Sequence, residues 1–485
     1  MLSSTPISAA RQQARVGVMV CGHKEYWPQF PGLREALIAN ARQFTGYIRR
    51  NPVELITYDL EMIDTVEDAF SAGTFFKTHQ VDLLFVYLPS YVASGRFMQG
   101  VLQAGCPIVL ASLQTNVKFD QPNTVNSMTG NGSPCQMPEA YSALLRMSKP
   151  PAGIIFGELY HDARAQREID EWCAVANALR AYRGAIFGHL GHSYEGMYDM
   201  NFDPTAITGA FGIHVKMLEM CEFVSYVEQA DAQAVDAKIT QITETFDFLD
   251  ASYEPTTKNF QQDDVAWAAR CSVGLDRLVE TNNLSGLAYY YAGLDNVYER
   301  VASNMIIGNS LLTSRGIALA GESDIKTAIA MYTTSALGCG GSFAELVAVD
   351  FEEDILLVGH DGPHDLRISD ARPHIRGLGL YHGKRGQGIS VEFSIKSGPM
   401  TMLSIGSDAQ GKFIFVVAEG ELRKGAVPQI GNTLTRSHFG GDIGLFVEDW
   451  CRAGACHHMS LSIGHNGAML AKLGKVMGIE VVRVR

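Results

Sequence analysis

The sequence predicts an α/β protein in which two α/β domains precede a β-rich C-terminal domain. Up to about residue 353, short continuous apolar runs alternate with helix-length amphipathic segments, a pattern typical of parallel sheets covered by helices on both faces. Beyond that point the helices thin out, and strand-like runs at 389–395, 400–405 and 413–417 alternate with glycine-rich turns. The first of these runs alternates apolar and polar residues, as half-buried antiparallel strands do, so we expect a β-barrel or sandwich there.

The length of the chain predicts several domains. At 485 residues it is too long for one hydrophobic core, because domains usually have about 100–200 residues, and we expect about three. We place an N-terminal Rossmann-like α/β domain at residues 1–175, a central α/β domain at 176–325 and a C-terminal β-rich domain at 326–485.

Composition excludes several classes of function. Hydrophobic residues make up 46% of the chain, and no apolar run approaches the roughly 20 residues of a membrane helix, so we expect a soluble protein without membrane contact. The formal net charge of −13 makes nucleic acid a poor partner and favours a small neutral ligand. Nine cysteines without a Cys-x-x-Cys pair, and an N-terminus unlike a signal peptide, predict a cytoplasmic protein with reduced thiols.

The N-terminal domain is predicted from buried strands separated by helices. The strands are expected at 15–22, 53–57, 83–88, 108–112 and 154–156, with helices at 33–48 and 163–182. The first strand lacks the Gly-x-Gly-x-x-Gly fingerprint and the chain has no P-loop, so the shape is Rossmann-like without a bound dinucleotide. His23 and Tyr26 follow that strand and could contact a substrate, although a turn with a surface histidine is an equal alternative.

A long polar loop and the central domain follow. Residues 116–138 are rich in Asn, Gln, Gly, Pro and Ser, and ordered loops of this length often form lids or interfaces. The central domain is predicted from a strand and turn at 184–192, helices at 232–248, 265–280 and 294–307, and a strand at 287–291.

The stretch 316–360 contains the first residues with catalytic chemistry. A buried strand at 317–320 and a helix at 324–337 place Glu322 on a strand-to-helix corner, where ligands bind in open α/β sheets. The alternative is that Glu322 is a helix-capping carboxylate, with Asp324 in the same role.

Two glutamates and two histidines form a possible metal shell. Glu345, His360 and the adjacent pair His457 and His458 accompany Glu322 in separate segments. Carboxylates with imidazoles suit Mn²⁺, and Zn²⁺, Co²⁺ or Fe²⁺ are also possible on ligand type. Because adjacent residues of a strand point to opposite faces, we expect only one histidine of the pair to reach the site.

Several segments resemble L-arabinose isomerase and its relatives in the L-fucose/L-arabinose isomerase superfamily. The segment Gly321-Glu-Ser-Asp-Ile-Lys-Thr-Ala is similar to the family's Gly-Glu-Gly-Asp-Trp-Lys-Thr-Ala. The segment Gly340-Gly-Ser-Phe-Ala-Glu is similar to Gly-Gly-Thr-Ser-Phe-Met-Glu with one residue missing. The two histidine segments, Asp354-Ile-Leu-Leu-Val-Gly-His and Ala453-Gly-Ala-Cys-His-His, also resemble family segments.

The resemblance implies a fold and a mechanism. It implies a Rossmann-like domain, a central α/β domain and a C-terminal β-barrel-like domain, the fucose isomerase-like architecture. Glu322, Glu345, His360 and His458 would hold the divalent ion, most simply Mn²⁺. The two glutamates would transfer protons as an aldose such as L-arabinose and its ketose interconvert through a cis-enediolate; a hydride shift is the alternative chemistry.

The substrate side departs from the family pattern. The family has Gln-x-Leu-Tyr after the first strand, where this chain has His23-Lys-Glu-Tyr26, and it has a histidine in the long loop that this chain lacks. We expect His23, Tyr26 and His457 to bind substrate, and we leave the sugar open. A sugar-binding protein without catalysis, and an isomerase or epimerase of a modified or branched sugar, are the alternatives.

The resemblance also implies a homo-oligomer, either a trimer or a hexamer. In the family a neighbouring subunit's N-terminal domain completes each active site. We therefore expect loop residues such as Gln121, Asn123 or Gln136 to reach the sugar bound by an adjacent protomer.

Overall fold

The computed structural model describes residues 13–118, 129, 134–252, 257–292, 296–378 and 388–485. They fall into two compact units, one within residues 12–181 and the other within residues 182–485. Parallel sheets in the earlier part of the chain and a large mixed sheet in the later part confirm the predicted α/β class. The three predicted domains, with boundaries at residues 175 and 325, remain a prediction.

The unit within residues 12–181 is built on one parallel sheet. Its strands are β1 (Arg15–Val20), β2 (Glu54–Thr57), β3 (Leu83–Tyr87), β4 (Ile108–Gln114) and β5 (Gly153–Glu158). The helices along this part of the chain are α1 (Leu33–Arg49), α2 (Val66–Thr78), α3 (Met98–Ala104), α4 (Gln136–Arg146) and α5 (Ala163–Tyr182). The strand order β2-β1-β3-β4-β5 places a topological switch point between β1 and β3, where ligands bind in such sheets.

The apolar runs of this unit form strands because both faces of the sheet are covered. Every residue of β3 is buried, and the run carries no alternation of apolar and polar side chains. Helices α2 and α3 pack closely through Gly73, where a Cβ atom would lie 2.3 Å from the carbonyl oxygen of Gly100. A larger residue at that position would force the two helices apart.

The unit within residues 182–485 contains two kinds of sheet. Its strands are β6 (Ile186–Gly191), β7 (His214–Leu218), β8 (Asp247–Leu249), β9 (Thr257–Lys258), β10 (Gly286–Tyr290), β11 (Ala318–Ala320), β12 (Ser342–Asp350), β13 (Ile355–His360), β14 (His374–Leu378), β15 (Gly388–Glu392), β16 (Gly398–Ser407), β17 (Phe413–Arg423), β18 (Thr433–His438), β19 (His458–Ile463) and β20 (Glu480–Val484). Its helices are α6 (Pro204–Phe211), α7 (Met220–Glu228), α8 (Ala232–Thr245), α9 (Gln262–Asn282), α10 (Val297–Ser303), α11 (Ile306–Thr313), α12 (Ile325–Ala336), α13 (Ile443–Arg452) and α14 (Gly467–Met477).

The sheets of this unit differ in direction. The order β11-β10-β6-β7 is a parallel sheet, as the apolar runs of the central region predict. The order β16-β19-β12-β13-β18-β17-β20 is mixed, because only the pair β17 and β20 is parallel within an otherwise antiparallel sheet. Strand β17 also pairs with β16. The barrel-like description of this region remains a prediction. A small sheet of β15, β14 and β8, with β9 beside β14, completes the unit.

Helix α12 packs against both large sheets of this unit. It contacts β10 and β11 of the parallel sheet and β16 and β19 of the mixed sheet. Its residues from Ile325 to Thr334 are all buried, so the helix has no polar face turned to solvent. The hydroxyl groups of Thr334 and Ser460 lie 2.8 Å apart and join the helix to β19.

Two helical predictions need correction. The predicted helix 294–307 is divided into α10 and α11, and the end of the predicted helix 232–248 belongs to β8, which pairs with β14. Helices α13 and α14 lie in the C-terminal region, where the sequence predicts mainly strands. Among the described residues, no helix combines the length and apolarity needed to cross a bilayer.

Candidate active site

Glu322 lies on a strained corner between β11 and α12. Its φ is 54° and that of Ser323 is 65°, in the left-handed region that residues other than glycine rarely adopt. The backbone N–H of Ser323 donates to the carbonyl oxygen of Tyr289 at 2.9 Å, which fixes the corner against β10. Glu322 therefore lies outside α12, on a backbone turn that is fixed before the helix begins.

Asp324, rather than Glu322, caps the helix. Its Oδ1 accepts from the backbone N–H of Thr327 at 3.0 Å, and its Oδ2 accepts from the hydroxyl of Thr327 at 2.8 Å. Oδ2 also lies 3.1 Å from Nδ1 of His458, and both side chains are fully buried. Because Asp324 serves the helix, the carboxylate of Glu322 is free for another role.

Three neighbouring strands contribute the other predicted ligands. Glu345 on β12 lies directly opposite His458 on β19, and its partner on β13 is Gly359, the residue before His360. Nε2 of His360 is 4.0 Å from Oε1 of Glu345. The ring of Phe343 packs against both histidines, with centroid distances of 4.6 Å to His360 and 4.4 Å to His458. Strand pairing therefore brings together residues that are far apart in sequence.

Both adjacent histidines reach Glu322. Nε2 of His458 is 3.7 Å from Oε2 of Glu322, and Nε2 of His457 is 4.0 Å from the same oxygen. The expectation that strand alternation separates the two rings is wrong, because β19 begins at His458 and His457 lies in the turn before it. Their ring centroids are 3.7 Å apart.

The side chains form two donor groups that share His458. Glu322, His457 and His458 make one group, and Glu345, His360 and His458 make the other, each with its ligand atoms within 4.8 Å of one another. Three of these atoms are buried and lack a hydrogen-bond partner among the described residues: Glu322 Oε2, His457 Nε2 and His458 Nε2. Buried polar atoms without partners are costly, so this arrangement suits a bound group that would satisfy them.

The electrostatics of the cluster favour a cation. Burial would lower the pKa of His360, but the hydrogen bond and charge of Asp361, with the charges of Glu345 and Glu322, raise it to about 9. Burial lowers the pKa of His458, although Asp324 opposes the shift, which favours the neutral ring. A neutral imidazole beside carboxylates is the chemistry of a divalent metal site.

Comparison with known proteins shows the family of this chain. The family model for the L-arabinose isomerase central domain matches residues 202–340, and the model for its C-terminal domain matches residues 340–480. The chain belongs to the L-arabinose isomerase-like proteins. The two matches together span more than half of the chain and contain all five residues of the two donor groups.

Curated relatives carry two names. A sulfoquinovose isomerase from Alkalicoccus urumqiensis is 23% identical over 90% of this chain and 91% of its own length. An L-arabinose isomerase from Herpetosiphon aurantiacus is 23% identical over 67% of this chain and 65% of its own length. A second sulfoquinovose isomerase, from Priestia aryabhattai, is 20% identical over 87% of this chain and 89% of its own length. The chain is accordingly an enzyme, a sugar isomerase of the aldose–ketose type.

His23 and Tyr26 belong to the unit within residues 12–181. They follow β1, and their rings are in contact at a centroid distance of 4.7 Å. Nδ1 of His23 is buried and has no hydrogen-bond partner among the described residues, while its Nε2 lies 3.5 Å from Glu25. Their role in substrate binding remains a prediction.

The loop prediction fails for one residue. Gln136 is only 1% exposed, and its Oε1 accepts from the backbone N–H of Val92 at 2.9 Å. It begins α4 and is held inside its own unit, so the proposed reach of Gln136 to an adjacent protomer is wrong. Gln121 and Asn123 lie outside the described residues.

Sequence reasoning missed the carboxylates that orient the histidines. Asp324 was considered only as a cap, and Asp361 and Asp199 were not considered, although each holds Nδ1 of a histidine in the cluster. For Asp361 a signal existed, because it directly follows His360. For Asp199 none existed, since it is 258 residues from His457.

The double role of Asp324 gives a testable difference in stability. Asp324→Ala removes the cap of α12 and leaves Nδ1 of His458 buried without an acceptor, so we expect a loss of roughly 2–4 kcal/mol in the free energy of unfolding. Asp231→Ala removes a cap with the same geometry from the exposed start of α8 and should cost about 1 kcal/mol. Urea unfolding of both variants, followed by circular dichroism, makes the comparison. Equal losses would show that Asp324 acts as a cap only.

Proposed function

We propose that this chain is a metal-dependent isomerase of a free sugar, in which Glu322, Glu345, His360 and His458 hold one divalent ion. The observation that carries the proposal is the pair of donor groups that share His458, one with Glu322 and the other with Glu345 and His360. Two ligand atoms that each lie about 2.1 Å from an ion can be at most about 4.2 Å apart. The separations of 3.7 Å between His458 and Glu322 and 4.0 Å between His360 and Glu345 fall within that limit.

The donor set supports Mn²⁺ as the ion. Two carboxylates and two imidazoles, without a thiolate, form a mixed oxygen and nitrogen shell that Mn²⁺, Zn²⁺, Co²⁺ and Fe²⁺ accept. Cys456 is the nearest thiol along the chain to the histidine pair, and burial raises its pKa to about 11, so it stays protonated. When bound, the ion would polarise the carbonyl group and the neighbouring hydroxyl group of the sugar.

The two glutamates are proposed as the acid and base. Glu322 and Glu345 are partly accessible, with 18% and 36% of their side chains exposed, whereas the histidines at 360 and 458 are nearly or fully buried. A sugar entering the site would therefore meet carboxylates first. One glutamate removes the proton from C2 and delivers a proton to C1, and the other moves a proton from O2 to O1, so that aldose and ketose interconvert through a cis-enediolate.

The substrate is proposed from the relatives and from the chain's own departures. Relatives that align over 87–90% of the chain are named for sulfoquinovose, and relatives that align over 67–69% of it are named for L-arabinose. The segment His23-Lys-Glu-Tyr26 differs from the family where substrate contacts are expected. A modified aldose such as sulfoquinovose is therefore proposed alongside L-arabinose.

Metal removal and a sugar panel test the proposed function. We expect the purified protein to form a ketose from L-arabinose, sulfoquinovose or another aldose, to lose that activity after dialysis against a chelator and to regain it with Mn²⁺. The reaction run in D₂O should place deuterium at the carbon that exchanges its proton. Full activity after chelation would contradict the metal dependence.

Other outcomes of the same panel identify the alternatives. Product without deuterium would indicate a hydride shift, and an epimer in place of a ketose would indicate an epimerase. A sugar that binds without giving product would indicate a sugar-binding protein.

Substitution of the glutamates tests the proton transfer. Glu322→Gln and Glu345→Gln each remove a charge needed for the ion and for catalysis, so kcat should fall at least about 10²-fold in either variant. Glu352→Gln, in the exposed turn between β12 and β13, is the matched control and should retain normal activity. Mn²⁺ affinity measured on the same proteins separates loss of the ion from loss of the base. Normal turnover by either site variant would remove that glutamate from the mechanism.

A threefold oligomer whose sites are completed by neighbouring subunits is also proposed, on the family resemblance. Light scattering of the purified protein should give the mass of a trimer or hexamer, three or six times 52.9 kDa. A monomer with full isomerase activity at the same concentration would exclude a shared site.

A further inference from the structure

Asp199 connects a loop of the central region to the histidine pair. It lies in a short 3₁₀ helix, Tyr198–Met200, between β6 and α6. Its Oδ2 accepts from the backbone N–H of His457 at 2.9 Å and lies 2.7 Å from Nδ1 of the same residue. One carboxylate oxygen thus holds both the backbone and the ring of His457.

The backbone of Asp199 is held as well. Its carbonyl oxygen accepts from the ammonium group of Lys326 and lies 3.6 Å from the thiol of Cys456. Lys326 is 3% exposed and lies in the first turn of α12, and its ammonium group is 3.2 Å from the same thiol. Because both the side chain and the backbone of Asp199 contact residues of the site, the carboxylate has a defined position despite the exposure of the loop.

The contact fixes which nitrogen of His457 faces the site. An imidazole whose Nδ1 is bonded to a carboxylate turns its Nε2 to the other side of the ring. Nε2 of His457 is buried without a hydrogen-bond partner among the described residues and lies 4.0 Å from Oε2 of Glu322. Asp324 arranges His458 in the same way, so the two rings present equivalent nitrogens to one carboxylate.

Burial distinguishes the two pairs. The side chains of His458 and Asp324 are 0% exposed, whereas those of His457 and Asp199 are 29% and 40% exposed. A ring at the accessible edge of a donor cluster can contact an entering ligand, while a fully buried ring can contact only the interior of the cluster. The His457 pair therefore occupies the substrate side.

We propose that Asp199 is a positioning residue that orients His457 so that Nε2 forms a hydrogen bond with a substrate hydroxyl group beside Glu322. This inference rests on the proposed isomerase function. It assigns to Asp199 no contact with the substrate and no share in holding the ion. Loss of the carboxylate releases the ring and leaves the four proposed ligands in place.

A double-mutant cycle tests the coupling. We expect Asp199→Asn to lower kcat about 10–100-fold, the usual effect of losing a carboxylate that orients a functional histidine, with Mn²⁺ affinity within about twofold of the wild type. In a His457→Ala background the same substitution should have no further effect. Asp203→Asn, four residues along and at the N-cap of α6, is the matched control and should leave kcat unchanged. Equal losses from Asp199→Asn in both backgrounds, or a normal kcat in the single variant, would overturn the proposal.

A second measurement does not depend on turnover. In a crystal structure of Asp199→Ala, the His457 ring should turn away from Glu322, while His458 keeps its contact with Asp324. A His457 ring that stays in place overturns the proposal, even if the wild type isomerises none of the sugars tested. A displaced ring in a protein without isomerase activity would instead support the positioning role and refute the proposed function.

Discussion

The hydrogen bond between Asp324 and His458 joins the two large sheets of the unit that contains the site. Asp324 stands where the parallel sheet ends and α12 begins, and His458 is the first residue of β19 in the mixed sheet. Both side chains are fully buried, so neither can be paired with water instead. One contact thus sets the start of a helix, the orientation of a ring and the approach of two sheets. Glu345 lies on β12, which pairs with β19, and His360 lies on β13, the next strand of the sheet. Glu322 lies at the corner beside Asp324.

The backbone of the site is strained, and the surrounding structure holds it in place. Two consecutive non-glycine residues, Glu322 and Ser323, adopt positive φ, and strain of this kind persists only where neighbours hold the backbone in place. Buried α12 on one side and β10 on the other provide that constraint. Nε2 of His457 and of His458, which have no hydrogen-bond partner in the part of the chain that the structure describes, add a further cost, because buried polar atoms lose their hydration. Backbone strain and unsatisfied polar atoms at the same point are typical of functional sites, which depart from the usual conformational and hydrogen-bonding preferences.

The sequence predicted local features well and long-range contacts poorly. The corner at Glu322 followed from a short apolar run and a helical period, both of which act over a few residues. The meeting of Glu345, His360 and His458 depends on the register of β12, β13 and β19, which tertiary packing sets and no local pattern records. The resemblance to a known family is what predicted that these three residues belong to one site. The role of Asp199 could not be predicted from the sequence, because its partner His457 lies 258 residues away and no motif connects them.

His458 and Asp324 form a buried pair, whereas His457 and Asp199 form an accessible pair. This difference bears on how one fold can serve different sugars. His458 and Asp324 are held by α12 and β19, so a change at either would disturb the packing of both sheets. His457 and Asp199 face outwards, and Asp199 lies on a connection between β6 and α6 that could change in length or composition without altering a strand. Relatives of this chain are named for L-arabinose and for sulfoquinovose. Differences in specificity are therefore more readily accommodated on loops that orient accessible residues than among the buried donors, where each substitution also has a structural cost.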